Sequence, residues 1–305
     1  MELTEHDKAL AYPPALDTLI RRVTELPPLP EVAQAILRFG DGSEAGLRGL
    51  CARIQQDPAL TARVLRVSNS PFYGLQGSVH TLDDAMVVLG SATLRAIALT
   101  GALIGPFETA RSAHFDVRRF WRHALASAVL AQRLGQSIAA TPAVGFTAGL
   151  LHQIGVLALC TVDARCFDRI AQRADSAHVS FARACRSECD WEPNQLGAAL
   201  ARRWALPDTW CAAMLEWRCP PAGRQLKSDR QLADVVHVSD RLAHLLVGLP
   251  AEPWPRDLAE RLHEQQSRHR LEMSAVERIG LDTPRLLSLL RPAARELERL
   301  ETLLH

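Results

Sequence analysis

Apolar residues recur along this chain at intervals of three and four and almost never at two. Val32, Ile36 and Phe39 fall on one side of a helix, as do Leu60, Val64 and Val67, and then Leu94, Ile97, Ala98 and Ile104. Start signals fit the same reading. Asp57-Pro58, Thr141-Pro142 and Thr283-Pro284 each place a capping side chain before a proline at the first helical position, where a missing N–H costs nothing. Gly40-Asp41-Gly42 and Gly74 to Gly77 break the pattern as turns. With no strand pair in sight, the pattern predicts an all-α fold.

Breaks in composition divide the chain into four stretches. Residues 1–26 form a leading segment closed by Leu26-Pro27-Pro28-Leu29-Pro30; residues 27–108 form a bundle of short helices; residues 109–248 form a second bundle of longer ones. Residues 249–305 follow a break at Pro250, Pro253 and Pro255 and form a helical tail. In that tail Leu286, Leu290, Ala293, Leu297, Leu300 and Leu304 make a narrow apolar stripe with Arg295, Glu296, Glu298, Arg299 and Glu301 outside it. Such a stripe offers a homodimer contact, although Pro292 interrupts it and packing back on its own bundle is the simpler expectation.

Composition removes several classes. The chain has 305 residues, 48% of them hydrophobic, and a formal net charge of +1, so no global field draws it to nucleic acid or to a membrane surface. Arginine supplies 33 of the 35 basic residues but is interleaved with acids and forms no block, so nucleic acid is not an expected partner. The chain is read as holding no stretch of about 18 apolar residues free of charge, so no membrane span is expected. The start lacks a basic run followed by an apolar one, and seven cysteines without a CxxC pair read as small hydrophobic fillers, which together suggest the cytoplasm. There is no G-x-S-x-G, Walker loop, G-x-G-x-x-G or H-E-x-x-H.

Three segments then carry a resemblance. LPPLPEVAQAIL, IQQDPALTARVLRVSNSPFYG and TLDDAMVVLGSATLRAIAL resemble the N-terminal lobe of HDOD domains. FWRHALASAVLAQRL, GLLHQIGVLAL, ECDWEPNQLGAALARRWALP and VVHVSDRLAHLL resemble the same family's HD-related lobe, and the likeness spans roughly residues 23–248. It implies a two-lobed helical bundle whose second lobe is like an HD phosphohydrolase. The residues also have plain roles: Asp57 caps a helix, Asn69 and Ser70 bond the backbone where it ends, Pro71 forbids continuation, and Gly90 separates two helices.

HD hydrolases cleave phosphate esters with divalent ions held by an early His, a His-Asp pair and a late Asp. Imidazoles and carboxylates fix the ions, which lower the pKa of a bound water. By the resemblance, the early position here is His123, the pair is His152-Gln153, and the late one is Asp240. Gln153 offers a neutral amide where an anion is expected. Asn194, Trp217 and Arg218 stand where hydrolytic relatives carry further histidines, and Arg218 would repel a metal. These seven are read as relic positions, with no metal, no cofactor and no catalysis expected. His80, His178, His237 and His244 read as surface or rim residues, and His263 and His269 as part of a solvated helix. The resemblance points to a regulatory protein whose partner is a signalling protein in trans, such as a histidine kinase or a cyclic-dinucleotide enzyme. Two alternatives stand beside it: a divergent metal-dependent phosphohydrolase, and a nucleotide-type receptor using Arg218 with Arg202 and Arg203.

Overall fold

The computed structural model describes residues 14–38, 44–74, 77–104, 107, 112–138, 142–220, 228–247, 258–267, 271, 273–301 and 303. Among them there is no strand. Helices α1 (Pro14–Thr24), α2 (Glu31–Arg38), α3 (Glu44–Gln55), α4 (Pro58–Ser68) and α5 (Leu82–Ile104) come first. Then follow α6 (Val117–Leu134), α7 (Pro142–Leu151), α8 (Ile154–Val162), α9 (Ala164–Ala177), α10 (Phe181–Cys189), α11 (Pro193–Arg203), α12 (Asp208–Glu216) and α13 (Ser228–Val247). The chain closes with α14 (Leu258–Ser267), α15 (Met273–Arg278) and α16 (Thr283–Glu301). Phe39, the 40–42 turn, Thr141, His269 and Leu304 lie outside the described residues.

Helices α2 to α5 pack together as the first bundle. Asp57 begins α4 as expected, its side chain accepting from the Leu60 N–H. Leu60, Val64 and Val67 are buried on the face that the spacing marks. Asn69 then ties off the helix: its Nδ2 donates to the carbonyls of Leu65 (3.0 Å) and Val79 (2.8 Å), and its Oδ1 accepts from the Val79 N–H (3.1 Å). Gly90 sits at φ 75, ψ 161, a region essentially closed to side chains, and breaks α5 into two pieces.

The second bundle is built on α6, which packs against α7 and α13, with α11 packed on α8 and α12. Residues 14–24, read as part of a leading segment, form helix α1, which docks on α8 and α11 rather than on the first bundle. Arg22 fastens it, pairing with Asp163 at 3.1 Å and donating to the Val162 carbonyl. The membrane expectation needs a correction of its premise. Residues 143–162 contain no Asp, Glu, Lys or Arg and, with Leu82–Ile104, are apolar enough and long enough to span a bilayer. That stretch is two helices joined by the His152-Gln153 turn, and 78% of its window is buried inside the protein.

The tail folds back. Leu286, Leu290, Ala293, Leu297 and Leu300 are 0–3% exposed, and α16 packs on α6. Each fully buried leucine contributes about 1.5–3 kcal/mol of transfer free energy. The stripe that offered a dimer contact is therefore covered by the chain itself. Arg133 and Glu296, and Arg122 and Glu301, close the seam with ion pairs of 2.6 Å. Pro292 does not interrupt α16, because apolar packing on both sides outweighs the one hydrogen bond a proline removes. Its N-cap is Asp282, which accepts from the Arg285 N–H at 3.0 Å, one residue before the Thr283 expected from the sequence.

Candidate functional site

Close backbone approach assembles the site. A side chain at Gly149 would put its Cβ 2.6 Å from the Ser127 carbonyl, so glycine lets α7 lie against the backbone of α6. At Gly155 a Cβ would overlap the Pro193 carbonyl and stand 2.6 Å from the Gly197 nitrogen, so α8 touches the start of α11. The His152-Gln153 turn between these two contacts is thereby aimed at His123 on α6 and Asp240 on α13.

Asp240 Oδ1 is the hub. His123 Nε2 and His152 Nε2 each lie 3.0 Å from it, and Gln153 Nε2 donates to it at 2.9 Å. A carboxylate oxygen only accepts, so the amide nitrogen of Gln153 must face it. Asp240 is 1% exposed. Burial pushes its carboxyl up, but the hydrogen bonds and charges of the two histidines outweigh this and hold it well below the usual carboxylate range. Arg241 Nη1 stands 3.6 Å from the second oxygen. His244, one turn along α13, stacks on His123 with ring centroids 4.4 Å apart and approaches Asp240 Oδ2 at 3.9 Å. Burial, helped by the neighbouring cations against the pull of Asp240, holds the His244 imidazole below its ordinary value. Half of that side chain is exposed, so solvent moderates the effect.

All seven positions singled out in the sequence meet here. Asn194, Trp217 and Arg218 share a cavity of about 310 Å³ with His152, Gln153 and Asp240, and His123 lines the groove that adjoins it. The Trp217 ring stands edge-on to His152 at 4.8 Å. Two details differ from the sequence reading. Arg218 is not a bare cation, because Glu192 answers it at 3.0 Å. Arg203 turns to the Thr24 carbonyl on the far end of α11, and neither it nor Arg202 lines the cavity. His244, read as a surface or rim residue, lies four residues from Asp240 and so on the same helix face, whereas Arg241 was missed and its place next to Asp240 in the chain gives no such sign. His237 is no rim residue: it is 2% exposed, with Nδ1 3.0 Å from the Trp217 carbonyl.

The donor set allows a test for the metal that hydrolytic HD proteins use. His152 Nδ1 lies 2.7 Å from the Gly149 carbonyl, which can only accept, so Nδ1 carries a proton. Nε2 then either bears a second proton or turns a lone pair towards a cation. A backbone carbonyl behind a histidine is also the usual brace of a metal-bound imidazole. The nearest ligand atoms of His123, His152 and Asp240 all lie within 4.8 Å of one another. These residues fit one ion. They do not fit two, since the second carboxylate is the amide of Gln153, and Asn194 is turned to the Leu215 carbonyl through Nδ2 at 2.5 Å.

Helical architecture and site together define an HD-type body. The HDOD domain profile matches residues 26–219, and the chain belongs to that family. Asp240 lies beyond the matched residues. Among solved structures, an HDOD domain protein of unknown function from Geobacter sulfurreducens is 22% identical, with a TM-score of 0.69 over 92% of this chain and 99% of its own. A provisionally named phosphohydrolase from Shewanella amazonensis SB2B is 24% identical, with a TM-score of 0.68 over 93% and 97%. A provisionally named signal transduction protein from Marinobacter aquaeolei VT8 is 22% identical, with a TM-score of 0.71 over 94% of this chain and 64% of that one. An uncharacterized Treponema pallidum protein is 23% identical over 189 residues, which span 61% of this chain and 36% of that protein.

Proposed function

We propose that this HDOD protein is a regulatory module that binds rather than hydrolyses, acting in the cytoplasm on a signalling protein in trans, such as a histidine kinase or a cyclic-dinucleotide enzyme. The observation that carries this reading is the Gln153 amide on Asp240 Oδ1 at 2.9 Å. Where hydrolysis needs a second anion to hold ions and orient a water, the chain supplies a neutral donor that occupies the carboxylate it should assist. The provisional signal-transduction name of the Marinobacter structure agrees with the reading, but its identity is too low to carry it.

The test is turnover. Purified protein incubated with bis-p-nitrophenyl phosphate and Mn²⁺, Mg²⁺ or Zn²⁺ is expected to release no more nitrophenol than buffer. Turnover that disappears in His152→Ala would overturn the proposal.

A second reading is favoured by the His152 tautomer: a divergent phosphohydrolase holding a single ion on His123, His152 and Asp240. Such an ion supplies Lewis acidity and an activated water. Elemental analysis separates the two, since the first reading needs no bound ion. Stoichiometric Mn, Fe or Zn, lost in His152→Ala, would favour the second.

A further inference from the structure

Three of the seven cysteines meet in one corner of the second bundle. Helices α9 and α10 form a hairpin through residues 178–180, which brings the start of one against the end of the other. Cys166 stands in the first turn of α9. Cys189 is the last residue of α10, and Cys185 lies one turn before it on the same side. The side chains of Cys166 and Cys189 share a hydrogen bond, and Cys185 is close enough to feel the charge of both. The hairpin is held on either side of this contact. Arg173 pairs with Glu188 at 3.2 Å, and Phe167 stacks on Phe181 with ring centroids 4.8 Å apart.

The three sulfurs do not form a nest for an ion. Among the described residues, the ligand atoms close enough to share one are those of His123, His152 and Asp240. Two thiols in contact have another chemistry, two-electron oxidation to a disulfide. The order of events follows from exposure. Cys166 and Cys185 are buried, whereas Cys189 is partly exposed. Burial pushes the Cys166 thiol up to about 11, so it stays protonated and reacts slowly with an oxidant arriving from solvent. Cys189 therefore meets the oxidant first. Cys166 is placed to resolve the product, helped by Arg169, whose Nη2 stands 3.6 Å from the Cys166 sulfur and favours its thiolate.

We propose that Cys189 and Cys166 are a peroxide-responsive thiol pair, which closes to a disulfide that staples α9 to α10. The Cys189 sulfur attacks one oxygen of hydrogen peroxide; the O–O bond breaks, leaving a sulfenic acid and one water. The Cys166 sulfur then attacks the Cys189 sulfur. The S–S bond forms, the S–O bond breaks, and the hydroxyl leaves with the Cys166 proton as a second water. Two thiols lose two electrons and the peroxide takes them. The hairpin locked in this way is a wall of the cleft: Phe181, at the start of α10, lines both the inner cavity and the outer groove, and Phe167, next to Cys166, lines the groove. This site goes beyond the regulatory reading and stands without it.

Peptide mapping of the full chain tests it. Reduced, desalted protein is treated with hydrogen peroxide, alkylated and digested with trypsin. Cleavage after Arg165, Arg169, Arg183, Arg186 and Arg202 puts the three thiols on separate peptides. A cross-link between the Cys166 and Cys189 peptides is expected, absent before oxidation and removed by dithiothreitol, with free thiols falling by two per chain. Cys219→Ser, at an exposed position, should leave the link in place, and Cys189→Ser should abolish it. In Cys166→Ser the Cys189 sulfenic acid should persist and react with dimedone. Amide hydrogen exchange of α10 should slow severalfold on oxidation of the parent and not of Cys189→Ser. The proposal falls if peroxide links Cys189 to Cys185, links two chains, or drives Cys189 to the sulfinic acid while Cys166 stays open to alkylation. Exchange that is unchanged or faster overturns the staple. Should Cys166→Ser fail to fold, the map of the parent chain still decides.

Discussion

Asn69 in the first bundle and Asn194 in the second are the same side chain put to opposite uses. Asn69 gives both ends to the backbone, bonding Leu65 and Val79 through Nδ2 and Val79 again through Oδ1. Asn194 gives its amide to the Leu215 carbonyl and leaves Oδ1 buried with no hydrogen-bond partner among the described residues. The first is a structural knot, complete in itself; the second is half of an interaction. Two aspartates of α13 repeat the contrast. Among the described residues Asp234 is held by Arg278, at 2.5 and 2.9 Å, whereas Asp240 is shared among His123, His152, Gln153 and the more distant Arg241 and His244. A polar group satisfied by one dedicated partner builds the fold. One that gathers several donors beside unpaired atoms marks a site.

The largest effect expected from this contrast is at the closed pair. Arg278→Ala leaves Asp234, which is wholly buried, with its charge unanswered, and should cost about 3–5 kcal/mol in urea unfolding. A loss below about 1 kcal/mol would show that the pair is not the seal between α15 and α13 that its geometry implies. Next comes the knot. Asn69→Ala removes three hydrogen bonds to backbone at about 1 kcal/mol each and should cost about 2–3 kcal/mol. Circular dichroism at a single wavelength suffices for both measurements.

Alkaline titration tests one buried group of the second bundle. Burial pushes the Cys160 thiol in the second bundle up to about 11. A thiol raised in the folded state contributes stability that is intact below the unfolded thiol's pKa and is lost as pH climbs towards the folded one. The window therefore runs from about pH 9 to 11, and the loss from this group is about 1.4 kcal/mol by pH 10. Cys160→Ala should accordingly lose less stability between pH 7 and pH 10 than the parent does. An equal loss would place the alkaline sensitivity elsewhere.

Much of the architecture was legible because it rests on local chemistry. The spacing of Leu60, Val64 and Val67, the Asp57-Pro58 cap and the Gly90 break are decided within a few residues. The seven site positions were legible only through resemblance, and their meeting in one cavity depends on contacts at Gly149 and Gly155 between distant helices. What escaped is long-range. Nothing in the α1 sequence says that it docks on α8 and α11, and no local rule says that Glu192, 26 residues before Arg218, cancels its charge. Pro292 misled for the same reason: the local rule against proline was overruled by buried leucines on both sides.

The smallest expected effect separates the two asparagines most cleanly. Asn194→Ala removes a bond to the Leu215 carbonyl, which destabilises, and also removes a buried acceptor without a partner among the described residues, which stabilises. The two changes are of similar size and opposite sign, so the net change should stay within about 0.5 kcal/mol, several-fold less than at Asn69. Urea unfolding of both variants under one condition makes the comparison. If Asn194→Ala costs as much as Asn69→Ala, its amide is part of the framework and the cavity it lines is a packing defect. If stability holds, the Asn194 amide is not part of the framework as Asn69 is, and the two asparagines differ in kind.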